Sequence, residues 1–167
     1  QALSVDEHVA FGSLFGDLEG HPHYENPITE HDKIFELAAS HGGIADEWHS
    51  DITFRPNPAL FSILNMVKCP EIGGDTLWAD MCAAYDGLSD ALKGIIDGLD
   101  AVHDFKNFRA LFSDSDENRE KLRQMEKLYP NPTHPVVRTL PMTGKKALFV
   151  NPQFTLRINR LKAAESD

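Results

Sequence analysis

Two short runs, Val136-Val137-Arg138-Thr139 and Lys146-Ala147-Leu148-Phe149-Val150, flank the turn-forming stretch Met142-Thr143-Gly144-Lys145. β-Branched and aromatic residues on either side of a glycine-containing turn form the pattern of an antiparallel hairpin. Strands joined in this way, with helices segregated to the outside, predict an antiparallel barrel-like sandwich.

The rest of the chain fits around that element. Residues 4–16 predict a helix, with Ser4 as N-cap, Glu7 as its capping-box partner and Gly16 where a helix would end. Residues 21–27, rich in His, Pro and Asn, predict a loop. The run 33–39 suits a strand or a short helix equally well. Residues 59–67 are mostly apolar and lie between Pro58 and Pro70, which predicts a buried strand. After Gly73-Gly74, Thr76-Leu77-Trp78 predicts another strand. Residues 81–99 predict helix, with Ser89 as an N-cap and Leu92, Ile95, Ile96 and Leu99 as one apolar core face. Residues 101–105 return to extended structure. The charged run 114–128 predicts a solvated helix or a loop, or in a sharper reading a lid over a site.

The chemistry concentrates at Glu47-Trp48-His49-Ser50-Asp51-Ile52-Thr53-Phe54. Trp48 and the alternation of Ile52 and Phe54 around Thr53 predict a half-buried strand, on which residues i and i+2 share a face. An imidazole and a carboxylate so placed can close on one cation and supply two of the three ligands of a 2-His-1-carboxylate iron site. The spacing by itself carries little, because chance supplies about 1.2 His-x-acid pairs in a chain of this composition. The second such pair, His23 and Glu25, lies in the loop among Pro22, Asn26 and Pro27.

Composition bounds the partners. The 167 residues are 41% hydrophobic and 25% charged, enough for one domain with a core. A net charge of −10 argues against nucleic acid, whose phosphates require a concentrated basic surface. A small anionic ligand needs only one or two local cations. No apolar run is long enough to cross a bilayer and no signal-peptide pattern opens the chain, so a cytoplasmic location is expected. With only Cys69 and Cys82 there is no disulfide framework, and both are expected to be packing residues.

Four blocks in order now carry a family likeness: the segment around His49; Gly73-Gly74-Asp75-Thr76-Leu77-Trp78; Ala83-Ala84-Tyr85-Asp86-Gly87-Leu88-Ser89; and His134-Pro135-Val136-Val137-Arg138-Thr139 through Thr143-Gly144-Lys145-Lys146-Ala147-Leu148-Phe149-Val150-Asn151. Together they resemble the TauD/TfdA family of Fe(II)- and 2-oxoglutarate-dependent dioxygenases, on the taurine dioxygenase side of it. The resemblance runs from about Phe11 to the last residue. It implies a mainly β architecture with flanking helices (α+β), a double-stranded β-helix or jelly roll. It further implies one oxygenase domain over residues 1–167 that lacks the family's first strands and its C-terminal part.

The same likeness assigns roles. His49 and Asp51 are the implied metal ligands, and Thr76 matches the position whose hydroxyl helps hold a 2-oxoglutarate carboxylate. His21 and Tyr24 match positions that contact an anionic substrate, while Ile52 and Phe154 match apolar wall positions of its pocket. The implied reaction hydroxylates a small, sulfonate-like substrate with dioxygen, releasing succinate and CO2. Homo-oligomerisation is compatible with it. In the family a second metal His and an Arg for 2-oxoglutarate follow later, beyond Asp167, and the chain opens on Gln1, so it is expected to be an incomplete and inactive piece. His103 and His134 are the alternatives for the missing His, each also explicable as an ordinary strand residue. Ala45 stands where the taurine branch has Asn, which removes a hydrogen bond worth about 1 kcal/mol or more. The implied substrates therefore widen to alkyl sulfonates, sulfate esters or carboxylates. Two other readings are a catalytically inactive jelly-roll relative that binds or supports, and a metal-assisted hydrolase using the same pair with a different ion.

Overall fold

The computed structural model describes residues 3–20, 31, 33–37, 46–105 and 116–167. His21, Tyr24, Ala45 and the loop 21–27 lie outside them, as do 38–39 of the run 33–39. The chain divides into two compact units, Gln1–Asp46 with Ala59–Thr76, and Glu47–Pro58 with Leu77–Asp167.

In the first unit, helix α1 spans Val5–Ser13 and starts as the sequence predicts. The Glu7 amide donates to Ser4 Oγ at 3.2 Å, and the Ser4 amide donates to Glu7 Oε2 at 2.8 Å. This closes a reciprocal capping box that satisfies two otherwise orphaned donors. The Ser4 amide also holds the Glu7 carboxyl below the usual carboxylate range. The chain leaves the helix through Leu14 and reverses at Gly16, whose φ of 138° favours glycine. Phe15 packs edge-on against both Phe11 and Phe61.

The buried strand expected at 59–67 does not form. The segment carries no ladder, and Leu60, Leu64, Met66 and Val67 are exposed. It is tied to the start of the chain instead: His8 donates Nε2–H to the Ile63 carbonyl at 3.1 Å, and Asn65 donates to the Leu3 carbonyl at 3.2 Å. An apolar run records a tendency to be covered, whereas a strand also needs a neighbour to pair with. Residues 33–37 have no regular strand or helix. Gly73 and Gly74 both have left-handed backbone, which favours glycine. The strand expected over 76–78 is absent too, and Leu77 and Trp78 are exposed. Cys69 is exposed rather than packed, and both cysteines are free thiols.

The second unit holds all the described strands. The helix expected across 81–99 is two helices, α2 (Met81–Asp86) and α3 (Asp90–Ile96). Asp80 caps the first through the amides of Cys82 and Ala83, and Ser89 caps the second through the Leu92 amide. A side-chain oxygen that accepts from an amide starts a new helix, so Ser89 interrupts what periodicity alone would continue. Gly98, at φ 78°, turns the chain into β1 (Asp100–His103). Ile96 and Leu99 reach the core, but Leu92 and Ile95 of the expected apolar face are exposed.

Strand β1 lies between β2 (Thr133–Pro135) and β5 (Thr155–Ile158), antiparallel to both. Ala101 sits opposite His134 on one side and Ile158 on the other. The predicted hairpin forms from β3 (Val137–Thr139) and β4 (Lys146–Leu148), in register Val137 to Leu148. Gly144, at φ 69°, donates its amide to the Leu140 carbonyl and closes the turn. Helix α4 covers Asp116–Leu128 and α5 covers Ala163–Ser166. Helices hold more of the described residues than strands do, so the described structure is α+β rather than mainly β.

Two apolar clusters hold this unit. One joins Leu99, Ala101 and Val136. The other joins Phe54, Phe105 and Phe154, with Ile52, Leu122, Met125 and Tyr129 packed against it. Leu122 and Met125 come from α4, so the charged run is an amphipathic helix seated on the core by one face, with its ion pairs, such as Lys121–Glu117, on the outside.

Candidate functional site

The His49 segment is not a strand. Residues 51–54 form a turn, closed by the Arg55 amide donating to the Ile52 carbonyl at 3.0 Å. Ile52 has φ 46°, a left-handed conformation that a β-branched residue adopts only when its surroundings impose it. The expected alternation of faces therefore fails, but the expected pairing survives by another route. His49 Nε2 lies 3.3 Å from Asp51 Oδ1.

The His49 tautomer follows from its other nitrogen. Nδ1 is 2.8 Å from the Glu47 carbonyl, which can only accept, so Nδ1 carries the hydrogen. In the neutral ring this leaves the Nε2 lone pair facing the carboxylate oxygen. A proton on Nε2 or a cation between the two atoms would bind them together. Ligand atoms bonded to a first-row dication at about 2.1 Å and at right angles would stand about 3.0 Å apart, close to the separation seen here. The side chains keep 27% and 53% of their surfaces exposed, so an ion can reach them. The pair fits a metal by donor type, spacing and tautomer. Among the described residues no group of three or more His, Cys, Asp or Glu side chains is placed to hold a metal.

A buried polar cluster underlies the turn, and sequence reasoning missed it. Thr53 is 1% exposed, and its hydroxyl lies 3.0 Å from His103 Nδ1 and accepts from Asn151 Nδ2 at 3.3 Å. His134 Nε2 lies 2.9 Å from the Thr53 carbonyl and 3.0 Å from the Arg55 carbonyl. Since both partners only accept, His134 carries its hydrogen on Nε2 and donates to the turn. The two histidines stand edge to face at 5.0 Å, and Phe149 stacks on His103 at 5.9 Å. Burial, then the neighbouring His134, pushes the His103 imidazole down to about 4, so it is neutral at ordinary pH. His103 Nε2 has no hydrogen-bond partner among the described residues. Thus the two histidines considered as substitute ligands have other work, from partners 50 and 81 positions away. No local signal in the sequence points to those pairings.

The remaining candidates are dispersed. Ile52 packs against the cluster that contains Phe154, and Phe154 itself is 2% exposed. Asn151 Oδ1 accepts from the Phe154 amide at 2.8 Å, which links that ring's backbone to the Thr53 cluster. Thr76 is exposed, has no regular secondary structure and belongs to the first unit. His21 and Tyr24 lie outside the described residues.

The whole chain, residues 1–167, matches the family model "Taurine catabolism dioxygenase TauD, TfdA family", and the chain belongs to this family. It is 34% identical over 170 residues to an alpha-ketoglutarate-dependent sulfate ester dioxygenase of Pseudomonas putida, with 98% of this chain and 55% of that protein covered. It is 35% identical over 168 residues to an alpha-ketoglutarate-dependent 2,4-dichlorophenoxyacetate dioxygenase of Cupriavidus pinatubonensis, covering 90% of this chain and 57% of the other. Among solved structures, a taurine dioxygenase from Burkholderia xenovorans superposes with a TM-score of 0.67 at 29% identity, over 99% of this chain and 52% of that one. The chain spans about half the length of the curated relatives it matches. Among the described residues no helix is long and apolar enough to cross a membrane.

Proposed function

We propose that the intact protein is an Fe(II)- and 2-oxoglutarate-dependent dioxygenase, built on the family's jelly roll, that hydroxylates a small anionic substrate of the sulfonate or sulfate ester class. The observation that carries this reading is the approach of His49 Nε2 to Asp51 Oδ1 at 3.3 Å, with Nδ1 already committed to the Glu47 carbonyl. That geometry turns the ligating nitrogen toward the carboxylate without further rearrangement. Family membership and the two alpha-ketoglutarate-dependent relatives support the cosubstrate.

In this scheme His49 and Asp51 hold Fe(II), and Thr76 holds a 2-oxoglutarate carboxylate. His21 and Tyr24 receive the substrate's anionic head, while Ile52 and Phe154 supply apolar wall. Bound iron would couple oxidative decarboxylation of 2-oxoglutarate to succinate and CO2 with insertion of one oxygen atom of O2 into a substrate C–H bond. The sulfate ester dioxygenase relative favours an oxyanion-bearing alkyl substrate, and Ala45 in place of an amide favours one other than taurine itself. Two free cysteines suit a reducing, cytoplasmic setting.

The test is succinate release from a panel of alkyl sulfonates, sulfate esters and aryloxy carboxylates, with dioxygen uptake measured in parallel. Turnover should be highest on a sulfonate or sulfate ester and should vanish in Asp51→Ala. Succinate release that persists in Asp51→Ala removes that residue from the ligand set. His21→Ala should raise KM for the preferred substrate more than it alters substrate-independent decarboxylation of 2-oxoglutarate.

A further inference from the structure

We infer that Thr53 is a positioning residue, the point at which His103, His134 and Asn151 lock the turn that presents His49 and Asp51 to a metal ion. The inference rests on the reading of those two residues as metal ligands. Thr53 lies two positions beyond Asp51, and both its side chain and its carbonyl are engaged. The hydroxyl meets His103 Nδ1 at 3.0 Å and Asn151 Nδ2 at 3.3 Å, and the carbonyl takes the His134 Nε2 hydrogen at 2.9 Å.

The anchors are themselves rigid. His103 ends β1 and His134 lies in β2, and the His103 amide donates to the Pro132 carbonyl at 2.9 Å. Phe149 stacks on one ring and meets the other edge-on at 5.3 Å, which fixes both imidazoles from a third side. Asn151 is held by its own bond from the Phe154 amide. Against this frame the turn takes an otherwise unfavourable shape at Ile52, with φ 46°. Such a conformation persists only where neighbours over-determine it. The lock at Thr53 therefore sets the direction in which the Asp51 carboxylate leaves the backbone. A pair held in advance binds a cation more tightly than one that must be ordered at binding.

Thr53→Val keeps the shape of the side chain and removes the hydroxyl, whereas Thr53→Ser keeps the hydroxyl. Co(II) binding to the intact protein, without 2-oxoglutarate or oxygen, is read from the metal's visible absorption and from emission of Trp48 beside His49. Thr53→Val should weaken Co(II) binding about tenfold or more, and Thr53→Ser should stay within about twofold of the parent. If Thr53→Val does not fold, judged by its melting curve, Thr53→Ala removes the hydroxyl without pressing a methyl group on His103 and Asn151, and the same loss is expected. Parent-like affinity in the folded hydroxyl-less variant overturns the inference, as does equal weakening by Thr53→Ser. Asp51→Ala separates this from the underlying reading. If its Co(II) affinity equals the parent's, the metal assignment fails and Thr53 falls with it; if Asp51→Ala loses binding while Thr53→Val does not, only the positioning role fails.

Discussion

The His134 imidazole donates its Nε2 hydrogen to the Thr53 carbonyl at 2.9 Å, joining positions 81 residues apart. The same hydrogen serves the Arg55 carbonyl at 3.0 Å, so one buried donor satisfies two acceptors on the turn. His134→Phe keeps an aromatic ring against His103 and Phe149 but abandons both carbonyls. It should cost about 1–3 kcal/mol in urea unfolding, the range for leaving a buried acceptor without a donor. A loss below about 0.5 kcal/mol would mean that the turn finds other donors at no cost.

Stability should depend on pH through His103. Burial and His134 hold its imidazole down to about 4 in the folded protein, against about 6.5 when unfolded. Above pH 6.5 both states are neutral at this group and it contributes no slope. As pH falls from 6.5 to 4 the unfolded chain takes a proton that the folded protein refuses, so stability declines by on the order of 3 kcal/mol. Denaturation midpoints of the parent and of His103→Gln across that interval should diverge in slope by close to one proton. Parallel curves would show that His103 titrates alike in both states.

The aromatic cluster should govern α4. Phe54 touches Phe105, Phe154 and Tyr129 with ring centroids 5.4–6.0 Å apart, and Leu122 and Met125 of α4 pack on the same cluster. Phe54→Ala should cost about 3–5 kcal/mol, from lost apolar burial plus the cavity left behind. Limited trypsin digestion should then cut faster at Arg119, Lys121 and Arg123, because the helix has lost the surface that seats it. Unchanged cleavage would mean that α4 holds without the cluster.

The capping box of α1 should be local in its effect. Ser4→Ala removes the oxygen that accepts from Glu7, at about 1 kcal/mol. Amide exchange should accelerate over residues 5–8 and stay unchanged in β1, a contrast that global destabilisation would erase.

What the sequence made legible was local chemistry. Ser4 with Glu7, Ser89 and Gly144 act on residues three or four positions away, the two runs of the hairpin pair across at most eleven, and each sits in the structure where the pattern predicts. Segments whose state depends on distant partners are not legible in this way. Residues 59–67 and 76–78 have strand composition without a strand, because composition carries no information on what pairs with them. The run 81–99 reads as one helix until Ser89 starts a second one and Gly98 ends it before Leu99.

The candidate site divides along the same line. That an imidazole and a carboxylate two positions apart can meet at one point was determined by the sequence alone, since two residues span too short a distance to separate them far. How they meet was decided by tertiary structure: a turn and not a strand, a left-handed Ile52, and a Thr53 whose hydroxyl and carbonyl are taken by His103, Asn151 and His134. Those partners lie 50 to 98 residues further along, and a hydrogen bond depends on distance in space, whatever the separation along the chain.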